Sequence, residues 1–444
     1  MTFLGFALTL VFCLLVMILS RRGAVLAIIA TVCYLTQGQE LNIGLHFTSM
    51  RLVLLAAMLR VIMRGELMQM KFNRVDGALV IYVLYMTMVA ILRDRTSAQI
   101  SYQVGFIYNA FMSYFVIRAL LTNEEDLRGV LNGLPWLMTP LALLMVREVQ
   151  SGSSPFAVFG GLSLESMVRD GQVRASGAFR TPITAGSFGA TFAVMYCVEL
   201  FRRGLRFLDV VGLVSSLVMI LCAHSSGPLM GLAVGLGCLA LWPFRAHTRL
   251  MRRGLLFGMV GLHLVMKAPV WFLFGRISDL IGGGGYHRAY LIDTFIRHFS
   301  DWWLVGTNDT SDWLATKLVI DEQADITNRF VADGVTGGLI ALILSIILLA
   351  RCFQAIGGAM RELGEEDVPR EKLLWGMGCT LTATIAILFS VTYFDQMHVI
   401  WYFLLAGVCA CAFGEYHRVN DQSEEELEEA PAVENARWAE VQAH

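Results

Sequence analysis

Residues 334 to 350 read Gly334-Val-Thr-Gly-Gly-Leu-Ile-Ala-Leu-Ile-Leu-Ser-Ile-Ile-Leu-Leu-Ala350, an uncharged run bounded by Asp333 and Arg351. As a helix rising 1.5 Å per residue, such a run crosses most of a hydrocarbon core about 30 Å thick. Runs of this kind recur at about 2–19, 23–36, 49–64, 75–92, 99–119, 128–146, 183–201, 207–223, 229–244, 254–273, 373–391 and 398–413. Of the 444 residues, 56% are hydrophobic and only 16% charged. A soluble domain has roughly 25% charged residues, so this chain lacks the polar surface to meet water on all sides. The reading is an all-α polytopic membrane protein of about 12 to 13 transmembrane helices, which excludes a secreted or cytosolic enzyme. The first apolar run has no basic segment before it and reads as a span rather than a cleaved signal.

Charge sets the expected orientation. Alternate connections carry the bases: Arg21 and Arg22; Arg60, Arg64, Lys71 and Arg74; Arg118 and Arg128; Arg202, Arg203 and Arg206; Arg245, Arg249, Arg252 and Arg253; Arg351, Arg361, Arg370 and Lys372. The short connections between them hold only Arg93 and Arg95. By the positive-inside rule the basic set faces the cytoplasm. With thirteen spans the N-terminus is then outside and the C-terminus cytoplasmic. The membrane domain covers 1–414, with two long extracytoplasmic loops at about 147–182 and 274–333. Residues 415–444 hold nine acids against two bases, so the first 414 residues carry about +5 of an overall −2. That tail reads as a solvated, disordered cytoplasmic extension. The nine cysteines lie in or beside apolar runs and imply no disulfide framework, and no metal motif is present.

The two outer loops are unusually cationic, with Arg147, Arg169, Arg174, Arg180, Arg276, Arg288, Arg297, Lys317 and Arg329. In Arg174-Ala-Ser-Gly-Ala-Phe-Arg180-Thr-Pro182, Gly177 suits a tight bend and Pro182 a first helical turn. Arg174 and Arg180 are thereby delivered to a helix N-terminus, where an anion docks.

The arrangement Arg-x-x-Gly-x-Phe, followed by proline and a span, resembles the O-antigen ligase and O-antigen polymerase superfamily. The resemblance covers about 174–345 and the topology. Tyr286-His287-Arg288-Ala289-Tyr290 fits that family's arginine-bearing helix, Trp303-Leu304-Val305-Gly306-Thr307 its glycine turn, and Thr327-Asn328-Arg329-Phe330-Val331-Ala332-Asp333-Gly334 its entry into the next span. Two positions depart: Thr327 stands where ligases place histidine, and Ser226-Gly227 where many members have Arg-Gly. The resemblance implies a glycosyltransferase that moves glycan from an undecaprenyl diphosphate donor to a glycan or lipid acceptor, without metal, cofactor or nucleic acid. Arg174, Arg180 and Arg288 would bind the diphosphate, and Arg288 would also stabilise the leaving group. The residues fit independently, because fixed guanidinium groups can hold the charge a diphosphate develops as it leaves.

An acceptor hydroxyl also needs a base within hydrogen-bond reach. Asp325, two residues before the ligase histidine position, is the leading candidate, with helix capping beside Thr327 as its alternative role. His287, His298 and Asp395 are secondary candidates, Asp395 and His398 sharing a short outer turn. Asp293, Arg297 and Asp301 share a helix face as a salt-bridge ladder. Trp302 and Trp303 mark the membrane interface, Lys267 snorkels from the tenth span, Gly282–Gly285 form a hinge, and Gly227, Gly231 and Gly235 mean close helix packing. The rival readings are a transporter or flippase of lipid-linked oligosaccharides, a peptidoglycan-type glycan polymerase, and a non-enzymatic scaffold. The sequence does not separate ligase from polymerase.

Overall fold

A computed structural model of the chain describes residues 2–38, 40–42, 46–273, 275–276, 285–313, 319–320, 323–363 and 367–414. The acidic tail, glycines 282–284 and Lys317 lie outside the described residues. Within them the chain is almost wholly helical, with strand limited to three two-stranded antiparallel hairpins. The helices are α1 (Phe3–Ile18), α2 (Arg21–Tyr34), α3 (Ser49–Met63), α4 (Arg74–Arg93), α5 (Ser97–Leu120), α6 (Glu124–Ser151), α7 (Pro182–Arg203), α8 (Phe207–Ala223), α9 (Ser226–Ala240) and α10 (Thr248–Val265). They continue with α11 (Gly285–Arg297), α12 (Phe299–Trp302), α13 (Arg329–Glu362), α14 (Val368–Leu388) and α15 (Met397–Phe413). Helix starts follow local chemistry. Thr2, Ser20, Thr48, Asn73, Thr96, Asn123, Asn328 and Asp367 each accept a first-turn amide proton, satisfying donors the helix cannot.

Each apolar segment read from the sequence falls on a helix. Four of them, α4, α6, α7 and α13, are long and apolar enough to cross a membrane. The segment 226–240 joined to 242–265 makes a fifth if its 77° bend lies within one span, and α1, α8 and α15 are apolar but shorter. Helix α10 stops at Val265, short of the expected 273, because Pro269 disfavours helix in the residue before it. Lys267 therefore lies beyond the helix rather than deep in a span.

The core is built around α7, which packs on α8, α9 and α14, while α13 packs on α4 and α15. The α9 glycines give that packing its closeness: a Cβ on Gly231 would lie 2.3 Å from Ile387 on α14, and one on Gly235 2.6 Å from Val194 on α7.

Ion pairs gather the basic connections at one end of the bundle. Arg22 pairs with Asp126 at 2.9 Å and Arg21 with Glu66 at 3.4 Å. Glu124 takes Arg202 at 2.8 Å and Arg370 at 3.7 Å, and Arg245 pairs with Glu371 at 2.8 Å. These contacts tie together all six connections that the sequence groups by charge. The segment 152–181 belongs to the other end, where Thr36 Oγ1 donates to Gly160 O at 2.6 Å and Gln396 Nε2 donates to both Leu35 O and Ala178 O at 2.9 Å.

Candidate functional site

The segment between α6 and α7 is shaped by three turns. Strands β1 (Met167–Arg169) and β2 (Gln172–Arg174) form a hairpin around Asp170 and Gly171, both at positive φ, and Gly177 bends the chain at φ +58°. Ala175 N donates to Cys222 O at 2.9 Å and Arg174 Nε to Ala223 O at 3.2 Å, so the strand is pinned on the end of α8. Glu148, fully buried in the last turn of α6, holds the bend from below. Its carboxylate accepts Ser176 N at 3.1 Å, Gly177 N at 2.9 Å and Ser166 Oγ at 3.1 Å. An acid in a C-terminal turn opposes the helix dipole, and these donors are what hold it there.

Helix α11 brings Arg288 to the same place from the second loop. Arg288 Nη1 donates to Ser226 Oγ at 3.3 Å, at the first residue of α9. The departure noted at Ser226 thus touches the arginine-bearing helix directly. The side chain of Ser225, just before α9, makes no cap, and the positive end of the α9 dipole lies at this junction. Burial, with Arg169 and Arg174 adding repulsion, pulls the Arg288 guanidinium down to about 10. Burial and Arg169 also lower Arg174, against a smaller opposing pull from Asp170. Among the described residues neither Arg174 nor Arg288 makes an ion pair, whereas Arg169 lies 3.7 Å from Asp170. Cations from both loops therefore crowd this helix N-terminus, with Asp170 as their acidic neighbour among the described residues, an electrostatic arrangement that favours an anion.

The base candidates divide. His287, next to Arg288 on α11, has Nε2 3.3 Å from Asp325 O, and its buried Nδ1 has no partner. The contact is with the backbone of Asp325, not its carboxylate. The buried hydroxyl of Thr327 is likewise without a partner, and the cap of α13 is Asn328, which accepts Phe330 N at 2.9 Å and Val331 N at 3.3 Å. Neither Asp325 nor Thr327 caps that helix. Arg180 turns instead to Asp395, 3.6 Å away in the turn before α15, and so joins that turn rather than the Arg174–Arg288 pair. His298 is engaged elsewhere, its Nδ1 2.8 Å from Asp301 Oδ2. The ladder expected over 293, 297 and 301 is half present. Arg297 meets Asp293 at 2.7 Å, but the helix breaks at His298 and Asp301 sits in α12.

Deeper in, where α13 meets α4, Arg329 Nε lies 2.9 Å from Asp333 Oδ1 and Nη2 donates to Tyr82 OH at 2.7 Å. Tyr82 OH donates in turn to Asp333 at 2.8 Å, beside a cavity of about 30 Å³ that His398 and Tyr402 also line. A space of that size admits water, not a sugar.

Of the residues singled out from sequence, Arg174 and Arg288 meet where α8 ends and α9 begins, the backbone carbonyl of Asp325 touches His287, and Arg180, Asp395 and His298 lie elsewhere. It missed Glu148, whose one signal was a carboxylate closing an apolar helix with no base placed to answer it. Among the described residues no three His, Cys, Asp or Glu side chains gather as metal ligands would. No protein-family model matches the chain, and no curated protein matches it.

Proposed function

We propose that the chain is a polytopic glycosyltransferase of the bacterial inner membrane, with its basic end cytoplasmic. It moves or polymerises glycan from an undecaprenyl diphosphate-linked donor onto an acceptor hydroxyl at the outer face. The observation that supports this reading is the placement of Arg174 and Arg288, neither in an ion pair among the described residues, where α8 ends and α9 begins. The diphosphate occupies that junction, and the guanidinium groups stabilise the negative charge that grows as the bond to the anomeric carbon breaks. The acceptor hydroxyl gives its proton to Asp325, with His287 next in reach, as its oxygen bonds to the anomeric carbon; undecaprenyl diphosphate leaves. Because His287 and Arg288 are consecutive, the base side and the diphosphate side of this scheme are fixed by one helix.

A transporter of lipid-linked oligosaccharides is the second reading. It draws on the interruption of α13 at Gly338, φ +75°, and on the ion pair Arg329–Asp333. That pair lies in the first turns of α13, not at its middle, which favours the transferase.

The deciding experiment is a deletion strain complemented by wild type or Arg288→Ala, with cell-envelope glycans sized by gel and their lipid-linked precursors located. Loss of long polymer marks a polymerase, and loss of attachment to lipid A marks a ligase. Precursors trapped on the cytoplasmic face mark a transporter, and an unchanged profile removes all three.

A further inference from the structure

The end of α12 is wedged into the interruption of α13. Leu339 N donates to Trp303 O and Thr307 N to Val335 O, each at 2.8 Å, so the turn 303–307 is bonded to both sides of Gly338. At Gly338 a Cβ would come within 2.5 Å of Leu304 O, so the turn and the break fit each other. Arg93, the last residue of α4, locks the arrangement. Its Nη1 donates to Val305 O at 3.0 Å and to Thr336 O at 2.8 Å.

The wedge has two unlike sides. Trp302 faces inward, stacked on Phe295 with centroids 3.9 Å apart. Phe299, Trp303, Leu304 and Val305 face outward and are 44–59% exposed, with the Phe299 and Trp303 rings 6.4 Å apart. The charged groups of the same segment are paired among themselves, Arg297 with Asp293 and His298 with Asp301.

The surroundings say what covers the outward side. Helix α4 has 20 residues, about one hydrocarbon thickness, and Arg93 at its end holds Val305. Just beyond the break, α13 presents Ile340, Ile343 and Ile347 outward, continuing the same apolar face. The patch therefore lies at the rim of surfaces that face lipid, where Trp and Phe are at home. We propose that Phe299, Trp303, Leu304 and Val305 form a membrane anchor that enters the bilayer edge and holds α11, with Arg288, at headgroup depth. This rests on the membrane reading of α4 and α13 and not on the chemistry of transfer.

The test is nitroxide labelling of Leu304→Cys, Phe299→Cys and Asp301→Cys in vesicles of phosphatidylethanolamine and phosphatidylglycerol. Unsubstituted protein treated with label is the blank, and Ile81→Cys on α4 the membrane control. Collisions with oxygen and with a water-soluble nickel chelate are compared, relative to a headgroup-labelled lipid. Labels at 304, 299 and 81 are expected to shift to the oxygen side, and the label at 301 to the nickel side. The anchor is overturned if 304 and 299 read on the nickel side while 81 reads oxygen, or if both are shielded from both reagents, as a protein partner or second copy would make them. A nickel-side reading at 81 overturns it together with the membrane placement of α4, whatever the transfer activity.

Discussion

Arg174 and Arg288, from different loops, both donate to the turn that joins α8 and α9: Arg174 Nε to Ala223 O at 3.2 Å and Arg288 Nη1 to Ser226 Oγ at 3.3 Å. Among the described residues neither makes an ion pair, and Arg169 and Arg174 repel Arg288, so an anion bound there relieves a repulsion already present in the free protein. Arg288→Ala is expected to cut glycan transfer by about 100-fold, the scale of losing one fixed donor to developing charge. Unimpaired transfer by purified Arg288→Ala protein, present at wild-type levels, removes Arg288 from the reaction.

Arg288→Lys gives a test with a sign. Burial and the neighbouring Arg169 and Arg174 lower the group at this position, and a lysine begins near 10.4, so the same forces carry it toward neutrality at mild pH. A base whose pKa is depressed loses its charge as pH rises. The variant should therefore lose activity between about pH 7 and pH 9, while the wild-type arginine stays charged. A flat pH profile for Arg288→Lys contradicts the crowding.

Glu148→Ala tests the support under Arg174. The substitution strips three donors, Ser176 N, Gly177 N and Ser166 Oγ, of their acceptor, a cost of about 1–3 kcal/mol each where burial persists. A lower melting temperature and weaker donor binding are expected together. Glu148→Gln keeps an acceptor oxygen and should recover stability more than donor affinity. Wild-type melting of the alanine variant counts against the clamp.

Asp325→Asn separates chemistry from structure. The cap of α13 is Asn328, so asparagine at 325 costs no helix end, and an amide does not accept the acceptor proton. Transfer with saturating donor is expected to collapse while melting is unchanged. Full turnover moves the base to His287, for which His287→Gln is the next variant.

Asp333→Ala leaves the partly buried Arg329 without its ion pair and should destabilise by up to about 3–5 kcal/mol, read as loss of folded protein in a thermal ramp. Tyr82→Phe, which removes the hydrogen bond to Asp333 and the one accepted from Arg329, should cost about 1.5–3 kcal/mol or more.

The helices were legible because an apolar run long enough to cross a bilayer needs no tertiary information to be recognised. Where a local breaker intervenes, as Pro269 does after α10, the run misleads, and Lys267 moved from span to loop. Arg174 and Arg288 were legible as cations in segments between apolar runs, but their meeting at 223–226 was not, since it depends on how two segments fold over α8 and α9. The spacing of 293, 297 and 301 assumed one continuous helix. Trp302 Nε1 instead takes Phe295 O at 2.8 Å, and the chain turns at His298. Glu148 carried no motif at all, and its role exists only in the backbone amides of a bend that the sequence places more than twenty-five residues away.

The most direct measurement is equilibrium binding of undecaprenyl diphosphate, with undecaprenyl monophosphate as reference, to wild type and to the double variant Arg174→Ala/Arg288→Ala in nanodiscs. Saturable binding that prefers the diphosphate is expected for wild type, with a loss of about 10²- to 10⁴-fold in the double variant, each charge-assisted contact contributing about 1.5–3 kcal/mol. Equal affinity of the two proteins for the diphosphate, with both folded, would mean that the arginine junction at α9 is not where the donor binds.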